Sequence, residues 1–181
     1  MKLFLSGGAK NGKSTLAQDL AVRLARGGDH YYIATMIPVD GEDRERIRRH
    51  IADRAGLGFE TVECGRHILN ALEGTNPKGT FLLDSVTALL MNELFPAETG
   101  YALDESAPQR CLEELAAFAQ RVENAVFVSD YIYSDAKKYD PATERYREAL
   151  AALDRMLAEK CDTVVELSAG QRIVHKGRLP E

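Results

Sequence analysis

The chain has little of what would send it outside the cell, into a membrane or onto nucleic acid. Its three cysteines, Cys64, Cys111 and Cys161, are an odd number without metal-site spacing. That argues against a disulfide framework or a zinc ribbon and leaves reduced thiols, the cytoplasmic expectation. No stretch approaches the roughly 18 apolar residues of a membrane span. The first apolar run, Leu3-Phe4-Leu5, begins at once, so no secretory leader is expected. Basic charge is in deficit, with 23 Lys and Arg against 28 Asp and Glu for a net charge of −5. A basic face for non-specific nucleic-acid binding is therefore not expected. Internal repeats and low-complexity segments are missing too. What remains is 181 residues, 45% hydrophobic and 28% charged, enough for one domain spanning residues 1–181 with a sizeable core.

The richest stretch is Gly7-Gly8-Ala9-Lys10-Asn11-Gly12-Lys13-Ser14, which fits G-x-x-x-x-G-K-[ST] in full. An apolar strand precedes it and a helical pattern opens at Ser14 and Thr15, the context the motif demands. Gly7, Gly8 and Gly12 supply the room a backbone needs to wrap its N–H groups around a phosphate. The positive end of the following helix faces the same anion. Lys13 would reach the outer phosphates, and the Ser14 hydroxyl would be a ligand for magnesium bridging them. The sequence thus predicts a protein that binds a nucleoside triphosphate with Mg2+.

Along the chain, strands and helices alternate. Strands are expected over Lys2–Ser6, His30–Ala34, Phe59–Val62, Thr80–Asp84, Ala125–Ser129 and Thr163–Leu167, with Arg172–His175 closing a hairpin after Ala169-Gly170. Helices are expected over Ser14–Arg26, Gly41–Asp53, Gly65–Leu72, Val86–Phe95, Leu103–Asn124 and Ala142–Lys160. This order predicts an α/β fold, a mostly parallel sheet with helices on both faces and a C-terminal antiparallel strand. Ligands in such sheets sit at the carboxyl ends of the strands, where Ser6–Ser14, Thr35, Asp84 and Asp130 all fall.

Three features carry more than one reading. The segment from Glu42 to Ile51 is a charged helix, with i,i+4 pairs expected between Glu42 and Arg46 and between Glu45 and Arg49. On it Arg46 and His50 stand one turn apart, and the guanidinium favours the neutral, nucleophilic imidazole. Asp84, ending a buried strand, reads as a metal-side acid and as the N-cap of the next helix, two roles that do not exclude each other. Tyr131 to Tyr139 reads as a mobile lid or substrate wall, or equally as a subunit contact. His30 and His175 read as structural.

Several stretches together resemble one family, the bifunctional adenosylcobinamide kinase/adenosylcobinamide-phosphate guanylyltransferases of cobalamin biosynthesis. The phosphate loop looks like that family's G-G-A-R-S-G-K-S, Tyr32-Ile33-Ala34-Thr35 matches Y-I-A-T, and Arg46-Ile47-Arg48-Arg49-His50 matches R-I-x-x-H. Thr61-Val62-Glu63 and Leu82-Leu83-Asp84-Ser85-Val86-Thr87, with Asn92 and Leu94-Phe95, continue the match in order. The resemblance implies a RecA-like P-loop NTPase fold, a homotrimer, ATP or GTP and a cobinamide (corrinoid) as substrates, and Mg2+. It implies that His50 takes up GMP from GTP, with Lys13 as the other catalytic residue, Thr35, Glu63 and Asp84 beside the nucleotide, and Ser14 and Asp84 on the metal. Beyond Phe95 the likeness weakens: Asp130-Tyr131-Ile132-Tyr133 stands where better-known members have N-E-V-G, and Ala151-Ala152-Leu153-Asp154-Arg155 where they have G-R-V-N-Q. The residues alone also admit a P-loop kinase for another small hydroxylated molecule, indifferent to His50, or a nucleotide-dependent regulatory module.

Overall fold

The computed structural model describes residues 1–180. Seven strands form one sheet: β1 (Lys2–Gly7), β2 (His30–Ala34), β3 (Glu60–Glu63), β4 (Thr80–Asp84), β5 (Asn124–Asp130), β6 (Thr163–Ser168) and β7 (Gln171–Lys176). Their order is β3-β2-β4-β5-β1-β6-β7, parallel throughout except β7, which pairs antiparallel with β6. Five helices connect them: α1 (Lys13–Ala25), α2 (Gly41–Asp53), α3 (Val86–Leu94), α4 (Ala107–Arg121) and α5 (Pro141–Lys160).

Alternation along each strand feeds two cores, because successive side chains leave opposite faces of a sheet. Leu3 and Leu5 of β1, with Tyr32, Leu82, Val126 and Val128, pack under Leu16 and Leu20 of α1. Phe4, Ile33, Phe81, Leu83 and Phe127 point the other way, into the larger layer made by α3, α4 and α5. There Phe118 stands edge-on to both Phe81 and Phe127, at 5.6 and 6.3 Å between ring centroids. All three cysteines are buried free thiols, and burial pushes those of Cys111 and Cys161 up to about 12.

Three expectations give way to local chemistry. The helix expected over Gly65–Leu72 shrinks to a 3₁₀ turn at Ile68–Leu72. His67 is left-handed at φ 51°, and the Gly65 carbonyl accepts from Asn92 Nδ2 at 2.8 Å, so neither residue is free to join a helix. The fourth long helix starts at Ala107 rather than Leu103, because Asp104 turns the chain by accepting from Ser106 N and Oγ while binding Arg110. Its far end also stops early, since Asn124 already belongs to β5. On α2 the i,i+4 pairs do not form; Arg48 meets Glu45 instead, at 2.6 Å and i,i+3. His30 is structural as expected: its two ring nitrogens lie 2.8 Å from the carbonyls of Gly28 and Leu57. His175 pairs with Glu166 at 2.9 Å on the exposed edge hairpin. No helix among the described residues is long and apolar enough to cross a membrane.

Candidate active site

Strand order decides where the phosphate loop opens. β1 lies between β5 and β6, and the register sets Gly7 opposite Asp130 and Leu167. Gly7 has to be glycine: a Cβ there would meet both Asn11 Nδ2 and the Leu167 carbonyl at 2.5 Å. That space is needed because Asn11 Nδ2 donates to the same carbonyl at 2.6 Å, pinning the loop to β6. The chain then turns through Lys10 at φ 57° and Gly12 at φ 88° before α1 starts at Lys13.

At the carboxyl edge of the sheet lies a cleft of about 1030 Å³, lined by Lys13, Ser14, His50, Glu63, Asp84 and Asp130 among others. It is at the upper end of the range for small-molecule sites. Ala9, Lys10, Asn11, Gly12 and Thr15 complete the phosphate-loop side, and Gly7 and Gly8 are not among the lining residues. Thr35 does not reach the cleft. It is fully buried, its hydroxyl donating to the Ser85 carbonyl at 2.9 Å and accepting from Ser85 N at 2.7 Å. Thr35 thus locks the ends of β2 and β4 together, directly under Asp84.

Lys13 is 5% exposed and folded back on its own loop. Its Nζ donates to the Gly8 carbonyl at 2.6 Å, to Asn11 Oδ1 at 3.3 Å and to Asp130 Oδ1 at 2.6 Å. Asp130 thus holds the ammonium that the motif would offer to a phosphate. The sequence places Asp130 at the right edge but not on Lys13; only the insertion of β5 between β4 and β1 brings the two together.

Asp84 is released from the capping alternative. Ser85 caps α3, its Oγ accepting from Ala88 N at 3.2 Å. The Asp84 carboxylate instead accepts from the Tyr32 hydroxyl at 2.9 Å. Burial raises the Tyr32 phenol far above its ordinary range, the Asp84 charge adds to this, and Arg54 and Arg46 partly oppose it. A hydroxyl and a carboxylate, Ser14 and Asp84, are the oxygen donors that a hard divalent cation takes, so these residues fit magnesium.

His50 arrives on α2, which Asp40 caps by accepting from Asp43 N at 2.9 Å. Not one α2 residue is buried. Arg44, Arg46 and Arg49 face the cleft with His50 and bring positive charge to the side opposite the phosphate loop. Among the described residues, His50 makes no side-chain hydrogen bond or ion pair.

Two other regions carry polar chemistry away from the cleft. Arg147 holds the segment after β5, donating to the carbonyls of Ile132, Asp135 and Lys137 and to the carboxylates of Asp135 and Glu144. Among the described residues, none from Tyr131 to Tyr139 lines the cleft, so the segment is tethered and set aside from it. His67, Glu93 and Glu114 gather within 4.8 Å, but Arg110 and Arg66 already sit 3.1 and 3.7 Å from Glu93, making this a structural ion-pair network.

A phosphate loop on β1, an acid ending β4 and a strand between them define a P-loop NTPase. Solved structures of that fold superpose on nearly the whole chain. The flagellar accessory protein FlaH of Methanocaldococcus jannaschii covers 98% of this chain and 78% of its own at a TM-score of 0.54 and 14% identity. The KaiC-like protein PH0186 of Pyrococcus horikoshii covers 98% and 79% at 0.53 and 14%. At such identities the likeness shows the fold alone. Residues 3–174 match the cobinamide kinase / cobinamide phosphate guanyltransferase family, and the chain belongs to it. A curated relative from Pseudomonas aeruginosa, the bifunctional adenosylcobalamin biosynthesis protein CobP, is 29% identical over 179 residues, 98% of both chains.

Proposed function

We propose that the protein phosphorylates adenosylcobinamide with ATP or GTP and then transfers GMP from GTP to the resulting phosphate through His50. The observation that carries this reading is the common cleft: the phosphate loop and a histidine with no side-chain partner among the described residues line one space. In the first reaction the substrate hydroxyl attacks the γ-phosphorus, the bond to the nucleoside diphosphate breaks and the hydroxyl proton is lost. Positioning and electrostatics supply most of the acceleration in such transfers. In the second, a ring nitrogen of neutral His50 attacks the α-phosphorus of GTP, forming an N–P bond as the bond to pyrophosphate breaks. A phosphate oxygen of cobinamide phosphate then attacks the same phosphorus and the N–P bond breaks, restoring the imidazole.

Lys13, once free of Asp130, neutralises charge on the leaving phosphates. Ser14 and Asp84 would hold magnesium, which supplies further charge neutralisation on the phosphate oxygens when bound. The arginines of α2 hold anionic groups on the opposite side. Family membership supports a trimer acting in the cytoplasm; a monomer in size-exclusion with light scattering would remove the trimer.

The test uses GTP labelled on the α-phosphate, incubated with magnesium and protein, then denatured. The label is expected to remain on the protein, to be lost in mild acid, to survive alkali, and to be absent from His50→Ala. If wild type retains no label and catalyses no pyrophosphate exchange, the covalent route is wrong.

A further inference from the structure

The helix that carries His50 has no buried residue, yet its end is tied to the sheet. Arg54, the residue that closes α2 one turn beyond His50, lies with its guanidinium 4.2 Å over the centroid of the Tyr32 ring. Its Nε and Nη2 both donate to Thr61 Oγ1 on β3, at 3.3 and 3.1 Å. Tyr32 itself is 2% exposed, with Phe59 edge-on at 6.1 Å between ring centroids, which holds the ring face beneath the guanidinium. From that pose its hydroxyl donates to Asp84 Oδ2 at 2.9 Å. A guanidinium stacked on an aromatic face is attracted by the ring's electrons, and here the contact ties the end of a helix that has no buried residue to the sheet. A hydrogen bond that orients a metal-binding carboxylate has its own effect: loss of such a partner commonly costs about 10–100-fold in metal affinity.

We propose that Tyr32 is a positioning residue for Asp84, and that Arg54 joins this pair to α2, so that magnesium-nucleotide occupancy and the placement of His50 are linked. The inference rests on the reading above for the roles of Asp84 and His50. One tyrosine reports to both: its hydroxyl fixes Asp84 Oδ2 and leaves Oδ1 for the cation, and its ring face carries the end of the nucleophile's helix. A shift of Asp84 toward the cation pulls on the hydroxyl and tilts the ring beneath Arg54. The same link runs backwards, as coupling between two sites must.

The variants are Tyr32→Phe, which keeps the ring under Arg54 but removes the hydroxyl, and Arg54→Gln, which keeps the hydroxyl but removes the stacked charge. Two readouts avoid turnover: the magnesium dependence of fluorescent GTP-analogue binding, and the rate at which trypsin cleaves after the arginines of α2 in Mg·GTP and in GTP with EDTA. Tyr32→Phe is expected to raise half-saturating magnesium about tenfold, with GTP affinity in EDTA near wild type and trypsin protection following the displaced curve. Arg54→Gln is expected to be cleaved faster and to lose magnesium-dependent protection while still binding Mg·GTP. Thr61→Val, a change at an exposed strand position, should move protection in the same direction and stands in if either variant fails to fold by circular dichroism. A magnesium curve for Tyr32→Phe that superimposes on wild type, or magnesium-dependent protection that survives Arg54→Gln and Thr61→Val, overturns the proposal. These results are separable from the proposed function: an unlabelled His50 with the shifts intact removes guanylyl transfer only, and a labelled His50 without them removes only the link.

Discussion

Replacing Asp154 with Asn should stabilise the protein at neutral pH and do progressively less as the pH falls. Asp154 projects from α5 into the layer behind β5, where it is 3% exposed. Its Oδ2 accepts from the Tyr133 hydroxyl at 2.8 Å, while Oδ1 and the nearby buried Ser129 hydroxyl fall short of hydrogen-bond geometry. Burial raises the carboxyl from 3.8 to about 6, with the Tyr133 hydroxyl and the nearby Ser129 hydroxyl pulling down and the Asp130 charge pushing up. Tyr146, on the same helix, feels both acids and is itself raised by burial. At about 1.36 kcal/mol per pH unit, the displacement from 3.8 to about 6 means that ionised Asp154 costs the fold about 3 kcal/mol. The direction follows from proton counts. Between the two values the native state holds more protons than the unfolded chain, so stability falls as pH rises through this window and stays low above it. Asparagine resembles the protonated acid, keeps an acceptor for Tyr133, and removes the loss. The advantage of the variant is expected to be about 2–3 kcal/mol at pH 8 and to shrink by about 1.4 kcal/mol at pH 5. The chain contains no tryptophan, so urea unfolding is best followed by circular dichroism, at both pH values. A difference that does not change with pH, or a variant less stable at pH 8, would refute the reasoning.

Substituting Gly7 by Ala drives a methyl into Asn11 Nδ2 and the Leu167 carbonyl. A loss of about 1–3 kcal/mol in thermal stability is expected, together with nucleotide binding too weak to titrate; near-normal binding would mean that the loop relaxes. Asp130→Asn removes the anion that competes with phosphate for Lys13. If the pair contributes about 1 kcal/mol, affinity for GTP should rise roughly fivefold by equilibrium titration, and the Asp130 assignment fails if affinity falls. Labelling of His50 completes the set.

Much of the site is legible in the sequence because its pieces are local. The phosphate loop needs only its own glycines and the strand and helix beside it, and α2 is found at Gly41–Asp53 because its charge pattern is contained within it. What the sequence hides is set by strand order. Parallel strands joined by long crossovers leave no local mark of their neighbours, so β5 beside β1, and with it Asp130 on Lys13, emerges only in the folded sheet. The same holds for Tyr32 on Asp84, joined by the β2–β4 register that places Ala34 opposite Asp84. Gly65–Leu72 misleads because apolar spacing does not report a left-handed His67. The two segments that depart from the family pattern look unrelated in sequence, yet Tyr133 from one donates to Asp154 from the other, so they meet in one packed unit.

The exposure of α2 also bears on how such a protein changes over generations. A core helix is held to its sequence by everything it touches, and most exchanges on it are lost as folding failures. On a helix that buries no residue, exchanges bear more on reactivity than on the core, and the sheet behind goes on folding. Residues 41–53 are therefore the natural place to diversify by library, with survivors sorted by what they transfer rather than by whether they fold.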